Sequence, residues 1–278
     1  MGLVVAAACL FGTIGTVRVL GPDASSWSVG AARLLVGAAL LVVLAVAVDG
    51  AGELVRQTRR PLTLLAGVGQ AAFQVSFLAA VELTGVAVGT LVAIGSAPVF
   101  TGLLTRTVDR TWLAATGLAL AGVVLLVGGG SAGLSSYGVL LALTAGLSYA
   151  LYTVASRSLA RAGEPVTSVA AAGFVVAGLL LTPALVFTDQ SWLRSGEGLA
   201  MLLYLSVVAT ALAYVLFVAG LRHVPAPVAQ TLGLAEPVVA TLLGVLVLSE
   251  RLGVAGVLGA LLVMAALALL SRAVTVTA

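Results

Sequence analysis

The stretch PVAQTLGLAEPVVATLLGVLVLSER, Pro227 to Arg251, is apolar enough to cross a membrane, yet it holds Glu236 next to Pro237 near its middle. A hydrocarbon core takes about 20 helical residues to cross. A carboxylate at the bilayer centre costs about 2.5–3.5 kcal/mol on insertion scales, so it normally faces a protein interior or a wet cavity. Small residues recur around the acid at helical spacings of three and four: Ala229, Gly233, Ala240 and Gly244. We therefore expect Glu236 to point between helices and Pro237 to bend its helix.

The composition of the whole chain is that of a membrane protein. Of its 278 residues, 61% are hydrophobic and 8% are charged, against about 25% charged in soluble globular chains. All thirteen basic residues are arginine, and a net charge of +3 offers no basic patch of the kind that nucleic-acid binding requires. The single cysteine, Cys9, lies in an apolar run, so we expect neither a disulfide framework nor a thiolate metal site. The sequence predicts no metal and no other cofactor.

Apolar runs separated by short polar or Gly- and Pro-containing stretches predict ten membrane-spanning helices, with boundaries uncertain by about 2–4 residues. The expected fold class is therefore an all-α polytopic membrane protein in which function lies within the membrane. The predicted spans are 3–20, 27–48, 62–82, 86–104, 112–128, 137–157, 166–187, 198–220, 227–249 and 253–271.

The two halves of the chain resemble each other. A shift of 139 residues lays Pro98 on Pro237, and SAPVFTGLL (96–104) then falls on AEPVVATLL (235–243). Because each half has five spans, the second half enters the membrane from the opposite side. Inverted pairs of this kind are typical of secondary transporters, whose substrate site lies near the midplane where the repeats meet. We predict two inverted five-helix repeats, residues 1–134 and residues 135–278.

The distribution of arginines in the connections predicts the orientation, because cytoplasmic connections are enriched in basic residues. With a cytoplasmic N-terminus, nine arginines of the connections and tail lie inside and three lie outside. Both termini are therefore expected in the cytoplasm, with the chain in the cell (inner) membrane. The inside set is Arg56, Arg59, Arg60, Arg106, Arg110, Arg157, Arg161, Arg222 and Arg272, and the outside set is Arg18, Arg194 and Arg251.

Three stretches carry a family resemblance. The run EPVVATLLGVLVLSERLGVAGVLGALLVMAAL (236–267) resembles the carboxy-terminal motif of EamA-type proteins of the drug/metabolite transporter superfamily. AARLLVGAALLVV (31–43) and LFGTIGTVRVL (10–20) are similar to the second and first helices of that family. The resemblance implies a ten-helix inverted-repeat carrier that moves amino acids or related small metabolites, often outward. It leaves the substrate open.

Polar residues recur at helical spacing inside the predicted spans. Two sets of three hydroxyl-bearing residues each end in a tyrosine. A third set consists of two glutamines, and one further glutamine stands alone. A wet cavity between helices needs such donors and acceptors. The alternative is interhelical hydrogen bonding, worth about 0.6 kcal/mol for each bond on average. The residues are Thr144, Ser148 and Tyr152; Ser206, Thr210 and Tyr214; Gln70 and Gln74; and Gln230.

Two charges lie inside spans. Arg33 could snorkel to the outer interface, pair with a carboxylate, or bind a substrate carboxylate. Glu236 is either a structural lock, which accepts hydrogen bonds from neighbouring helices and from backbone freed by Pro237, or a group that exchanges protons or neutralises a substrate ammonium. Pro98 and Pro237 are the predicted helix breaks.

The sequence favours a carrier over an enzyme. Gly146-Leu147-Ser148-Tyr149-Ala150 fails the nucleophile-elbow pattern at its last position, and the single histidine, His223, excludes a two-histidine zinc motif. We expect an alternating-access exporter of small organic metabolites such as amino acids. The alternative is a channel-like, structural or lipid-handling membrane protein without coupled transport. Proton coupling and a homodimer are both open.

Two small-residue pairs at helical spacing predict close helix contacts or a subunit contact: Gly117 with Ala121, and Gly256 with Ala260.

Overall fold

A computed structural model describes residues 1–127, 135–249 and 253–276 of the chain. The end of the fifth predicted span, residue 128, and the last residue of the predicted first repeat, residue 134, lie outside the described residues.

All regular structure in these ranges is helical, which confirms the all-α part of the predicted fold class. Within the described ranges, nine helical segments are long and apolar enough to cross a membrane, and Arg110–Leu126 is an apolar helix of shorter length. Nine of the ten predicted spans thus correspond to spanning helices among the described residues, while the inverted relation of the two halves stays a prediction. The helices are α1 Gly2–Leu20, α2 Ser26–Val48, α3 Ala51–Thr58, α4 Pro61–Thr105, α5 Arg110–Val127, α6 Ser136–Arg161, α7 Val166–Val186, α8 Gly196–Ser206, α9 Ala213–Leu221, α10 Ala226–Gly233, α11 Ala235–Val247 and α12 Val254–Val276.

The third and fourth predicted spans form one long element, α4, which turns at Gly85. Gly85 has φ 80° and ψ 160°, a backbone conformation that glycine adopts without the cost a side chain would add. Pro98 lies inside the same element without interrupting it, so the predicted break at Pro98 is wrong. A membrane helix tolerates a proline where neighbouring groups compensate for the missing hydrogen bond. The turn in α4 therefore comes from a glycine 13 residues earlier in the chain.

The ninth predicted span is broken, but the break precedes Pro237. Helix α10 ends at Gly233 and α11 begins at Ala235, with Leu234 at φ −65° and ψ −2° between them. Pro237 is the third residue of α11, within the first turn, where a backbone N–H has no partner in its own helix and its loss costs little. The proline therefore marks the start of a helix, and Glu236 occupies the first turn of α11.

The eighth predicted span is also irregular. Helices α8 and α9 are joined by a π-helical segment, Val207–Leu212, so that the whole run from Gly196 to Leu221 crosses as one element. π-helical turns inside α-helices are frequent at functional sites. The segment contains Thr210, and Tyr214 follows it in the first turn of α9.

Helices α5 and α12 pack through a pair of glycines that the sequence patterns did not single out. A Cβ at Gly122 would lie 2.6 Å from the backbone oxygen of Gly259, and a Cβ at Gly259 would lie 2.5 Å from the oxygen of Gly122. A Cβ at Gly117 would meet nothing within 4 Å among the described residues, so Gly117 makes no close helix contact within the chain, and the subunit contact stays a prediction. Backbone therefore touches backbone five residues further along α5.

Candidate functional site

A pocket of about 350 Å³ lies among α1, α2, α4, α6, α8, α9 and α11. It extends from Arg18 in the last turn of α1 and Ser26 at the start of α2 to Tyr149 and Tyr214 deeper in the bundle. We call the end of the bundle that carries Arg18 and Ser26 the pocket end. The polar or hydroxyl-bearing lining residues are Arg18, Ser26, Arg33, Gln74, Thr90, Tyr149, Tyr214 and Glu236, and the phenylalanines are Phe11, Phe73 and Phe77.

Arg33 faces this pocket from α2. Its Nη2 donates a hydrogen bond to Oε1 of Gln74 on α4, at 3.2 Å. No carboxylate of the residues that the structure describes comes within ion-pair distance of its guanidinium. The side chain is directed into the protein, so the geometry does not favour the snorkelling alternative. Arg33 is an intramembrane cation whose one side-chain hydrogen-bond partner among the described residues, Gln74, is neutral.

Glu236 lines the same pocket from the first turn of α11. Close contact between α1 and α11 positions it, since a Cβ at Gly12 would lie 2.8 Å from the backbone oxygen of Glu236. Within residues 1–127, 135–249 and 253–276, the Glu236 carboxylate takes part in no ion pair. The exposed N–H groups and the dipole of a helix N-terminus favour a negative group there.

Tyr214 forms part of the deep wall of the pocket and is held from behind. Gln70 on α4 donates from Nε2 to the hydroxyl oxygen of Tyr214 at 2.9 Å. Phe11 and Phe174 pack on the tyrosine ring, with centroids at 4.9 Å and 4.4 Å. Gln70 is fully buried and does not line the pocket itself, so it orients a lining residue.

Besides Gln70, four further residues predicted for the site lie outside the pocket. Ser148 donates to the backbone oxygen of Thr144 at 2.8 Å, and Thr210 donates to that of Leu205 at 2.8 Å, both within their own helical runs. Gln230 donates to the Thr153 hydroxyl. Tyr152, 2% exposed, packs edge-on against Tyr214 with centroids 5.7 Å apart. The hydroxyl groups of Ser148 and Thr210 therefore donate to backbone oxygens of their own helical runs. They neither line the cavity nor bond between helices, which were the two predicted alternatives.

The structure adds aromatic residues that the sequence analysis missed. Phe73 and Phe77 line the pocket beside Gln74, and the ring of Tyr149 is tilted against that of Phe73 with centroids 5.1 Å apart. Phe73 and Phe77 follow Gln70 and Gln74 at helical spacing, so the stripe of glutamines could have been extended to include them. The sequence analysis did not single them out, because a phenylalanine in a membrane span commonly faces lipid or packs in the core.

The opposite end of the bundle carries a network of charges. Glu164, between α6 and α7, pairs with Nη2 of Arg56 at 2.8 Å and with Nη2 of Arg60 at 2.5 Å. Arg222 donates to the backbone oxygen of Glu164, also at 2.5 Å. A hydrogen bond from Arg56 lowers the pKa of Glu53, which lies outside the spans. We call this the network end; it ties α3, the start of α4 and the connections before α7 and α10 together.

These features define the class of the protein as an all-helical polytopic membrane protein with a charged pocket among its spans. The model of the EamA-like transporter family matches residues 136–272. A relative from Bacillus subtilis (strain 168), described as the uncharacterized transporter YwfM, is 42% identical over 278 residues, which cover 97% of this chain and 93% of that protein. The chain belongs to the EamA-like transporter family, which confirms the resemblance found in the sequence, and it is a membrane transporter.

A solved structure supports the fold. It is described as a crystal structure of a protein, and it superimposes with a TM-score of 0.84 over 98% of this chain and 96% of that chain. The two sequences are 21% identical, so the likeness concerns the fold alone.

Proposed function

We propose that the protein is a secondary carrier that exports zwitterionic small metabolites, amino acids foremost, by alternating access. The observation that supports this most is the presence of Arg33 and Glu236 in one pocket without an ion pair between them. A guanidinium binds a carboxylate through paired hydrogen bonds, and a carboxylate binds an ammonium. An α-amino acid carries both complementary groups on the same carbon atom.

The walls and the size of the pocket support the same class of solute. Phe11, Phe73, Phe77 and the rings of Tyr149 and Tyr214 provide apolar and aromatic surface for a solute side chain. The volume of about 350 Å³ lies at the small end of the roughly 300–1,000 Å³ range of ligand pockets. We therefore expect a single small metabolite and not a lipid-sized molecule.

The proposed orientation follows from the arginine count. We place both termini in the cytoplasm of the cell (inner) membrane, so the pocket end faces outside and the network end faces the cytoplasm. In alternating access, a conformation that is open at the network end must also form. The energy for export would then come from an ion or solute gradient, since the sequence contains no phosphate-binding glycine loop.

The first test uses the purified protein in two assays with the twenty common L-amino acids. Binding to the folded state raises the melting temperature, so thermal shifts identify which of them bind. Proteoliposomes loaded with an amino acid that binds should then take up the labelled compound by saturable counterflow. Arg33→Gln protein should lose this uptake while keeping its unliganded melting temperature.

Two outcomes would contradict the proposal. Flux that rises without saturation would favour a channel-like protein. The absence of any thermal shift and of any uptake with all twenty amino acids would show that the pocket does not serve this class of solute.

A further inference from the structure

Gln74 on α4 contacts α2 at two neighbouring residues that line the pocket, Arg33 and Gly30. It is 4% exposed, and its Oε1 accepts the hydrogen bond from Nη2 of Arg33 at 3.2 Å. The other side of the amide lies against Gly30, one turn before Arg33, where a Cβ would come within 2.7 Å of Nε2. The amide is therefore fixed at one atom by a hydrogen bond and at the other by close packing.

The chemistry of this partner matters as much as its position. A buried arginine in a protein is usually paired with a carboxylate, because an isolated charge is costly to bury. A carboxylate partner would orient the guanidinium but would also neutralise it. An amide oxygen orients the guanidinium by one hydrogen bond and leaves its full charge and its remaining N–H donors available.

Resting on the proposed function, we propose that Gln74 is the positioning residue that presents Arg33 to the carboxylate of the solute. Its neutrality makes the pocket specific for solutes that bring a carboxylate of their own. Gly30 contributes to this positioning of Arg33, because a glycine there leaves room for the amide of Gln74. In the absence of solute, Arg33 forms no ion pair with any carboxylate in the described part of the chain; with solute bound, the solute carboxylate completes the ion pair.

Gln74→Glu separates this role from a merely structural one. Glutamate has the size of glutamine and accepts the same hydrogen bond, so a structural role predicts an unchanged or higher melting temperature and unchanged transport. The proposal predicts that the new carboxylate pairs with Arg33 and competes with the solute carboxylate. We expect KM for counterflow of the amino acid with the largest thermal shift to rise about tenfold or more, the effect of losing one charge-assisted hydrogen bond.

The carboxamide of the same amino acid gives a second readout. It lacks the carboxylate, so wild-type protein should bind it at least about tenfold more weakly than the acid, again by the loss of one charge-assisted bond. In Gln74→Glu protein this preference for the acid over the amide should disappear. Gln74→Glu protein that keeps both the wild-type KM and the wild-type acid-to-amide ratio would overturn the proposal.

Gly30→Ala tests whether close packing of Gln74 against Gly30 helps to position Arg33. The methyl group would displace the flexible end of Gln74 and loosen its hold on Arg33, so KM should rise while the melting temperature changes little. Gly117→Ala is the matched control: it is the same substitution in a helix, and its Cβ would meet nothing within 4 Å. A KM in Gly30→Ala protein equal to that of Gly117→Ala protein would contradict the role of the glycine.

The failure of this inference is distinguishable from the failure of the proposed function. If wild-type protein binds and transports no amino acid, the proposed function fails and takes the inference with it. If wild-type protein transports an amino acid and Arg33→Gln abolishes transport, but Gln74→Glu does not alter KM or the acid-to-amide ratio, the proposed function stands and the role of Gln74 is refuted.

Discussion

Arg33 and Glu236 bring opposite charges into one pocket. Each is positioned by a neighbouring residue that carries no opposite charge. Gln74 holds the guanidinium by a single hydrogen bond, and the close approach of α1 at Gly12 fixes the backbone of Glu236. Charges inside a membrane span are costly and normally functional. The structural lock proposed as the alternative for Glu236 requires hydrogen bonds from neighbouring helices. Glu236 instead faces the cavity.

Replacing Glu236 by glutamine separates its charge from its shape. Glutamine keeps the size and the hydrogen-bonding capacity but cannot exchange a proton or attract an ammonium as a carboxylate does. We expect a wild-type melting temperature, together with counterflow that is lost or no longer depends on pH. Counterflow measured across neutral pH checks this, with Glu82→Gln, at an exposed glutamate outside the pocket, as the control. A wild-type rate and pH profile in the Glu236→Gln protein would rule out the charged role. Near-normal transport in Glu236→Gln protein together with unfolding of Glu236→Leu protein would support the structural lock.

The sequence predicted the charged members of the site better than the neutral ones. A charge in an apolar run is conspicuous because of its transfer cost, so Arg33 and Glu236 could be found one residue at a time. A hydroxyl carries no such cost once it bonds to a carbonyl of its own helix, as Ser148 and Thr210 do. Gln70 and Gln74 share one stripe, and which of them reaches the pocket depends on how α4 packs against α2.

The helical elements of the site are positioned by their interruptions. The turn at Gly85 divides α4, and the break at Leu234 places the first turn of α11, with Glu236, against α1. A proline in the sequence shows that one backbone donor is missing, but it does not show whether the helix bends, continues or begins there. For this reason Pro98 and Pro237 look alike in the repeat, yet the first lies inside a helix and the second near the start of one.

The contact between α5 and α12 gives a prediction about stability. Gly122→Ala would place a methyl group 2.6 Å from the backbone oxygen of Gly259, and the two helices would have to separate. Overpacking of this kind costs about 1–3 kcal/mol, so the melting temperature in detergent should fall. Gly117→Ala on the same helix has open space and should leave the melting temperature unchanged or slightly higher. Equal melting temperatures for the two variants would show that the glycine contact does not hold the helices together.

The two ends of the described part of the molecule differ in what holds them. The pocket reaches toward the pocket end, whereas ion pairs of Glu164 with Arg56 and Arg60 tie the network end together. The sequence predicted the helical class and the number of apolar runs, because hydropathy alone sets them. It could not predict which end is held together by ion pairs, since Arg60 and Glu164 lie far apart in the chain and meet only through packing.

The orientation of the whole molecule can be tested with two single cysteines in a Cys9→Ala background. Arg59 is exposed at the network end, and Ser25 is exposed in the connection between α1 and α2 at the pocket end. The arginine distribution predicts a cytoplasmic network end, so a membrane-impermeant thiol reagent applied to intact cells should label Ser25→Cys and not Arg59→Cys. Permeabilised cells should give labelling of both and so serve as the control for accessibility. Labelling of Arg59→Cys alone in intact cells would reverse the orientation and turn the pocket toward the cytoplasm, and labelling of both would contradict the spanning path of α2.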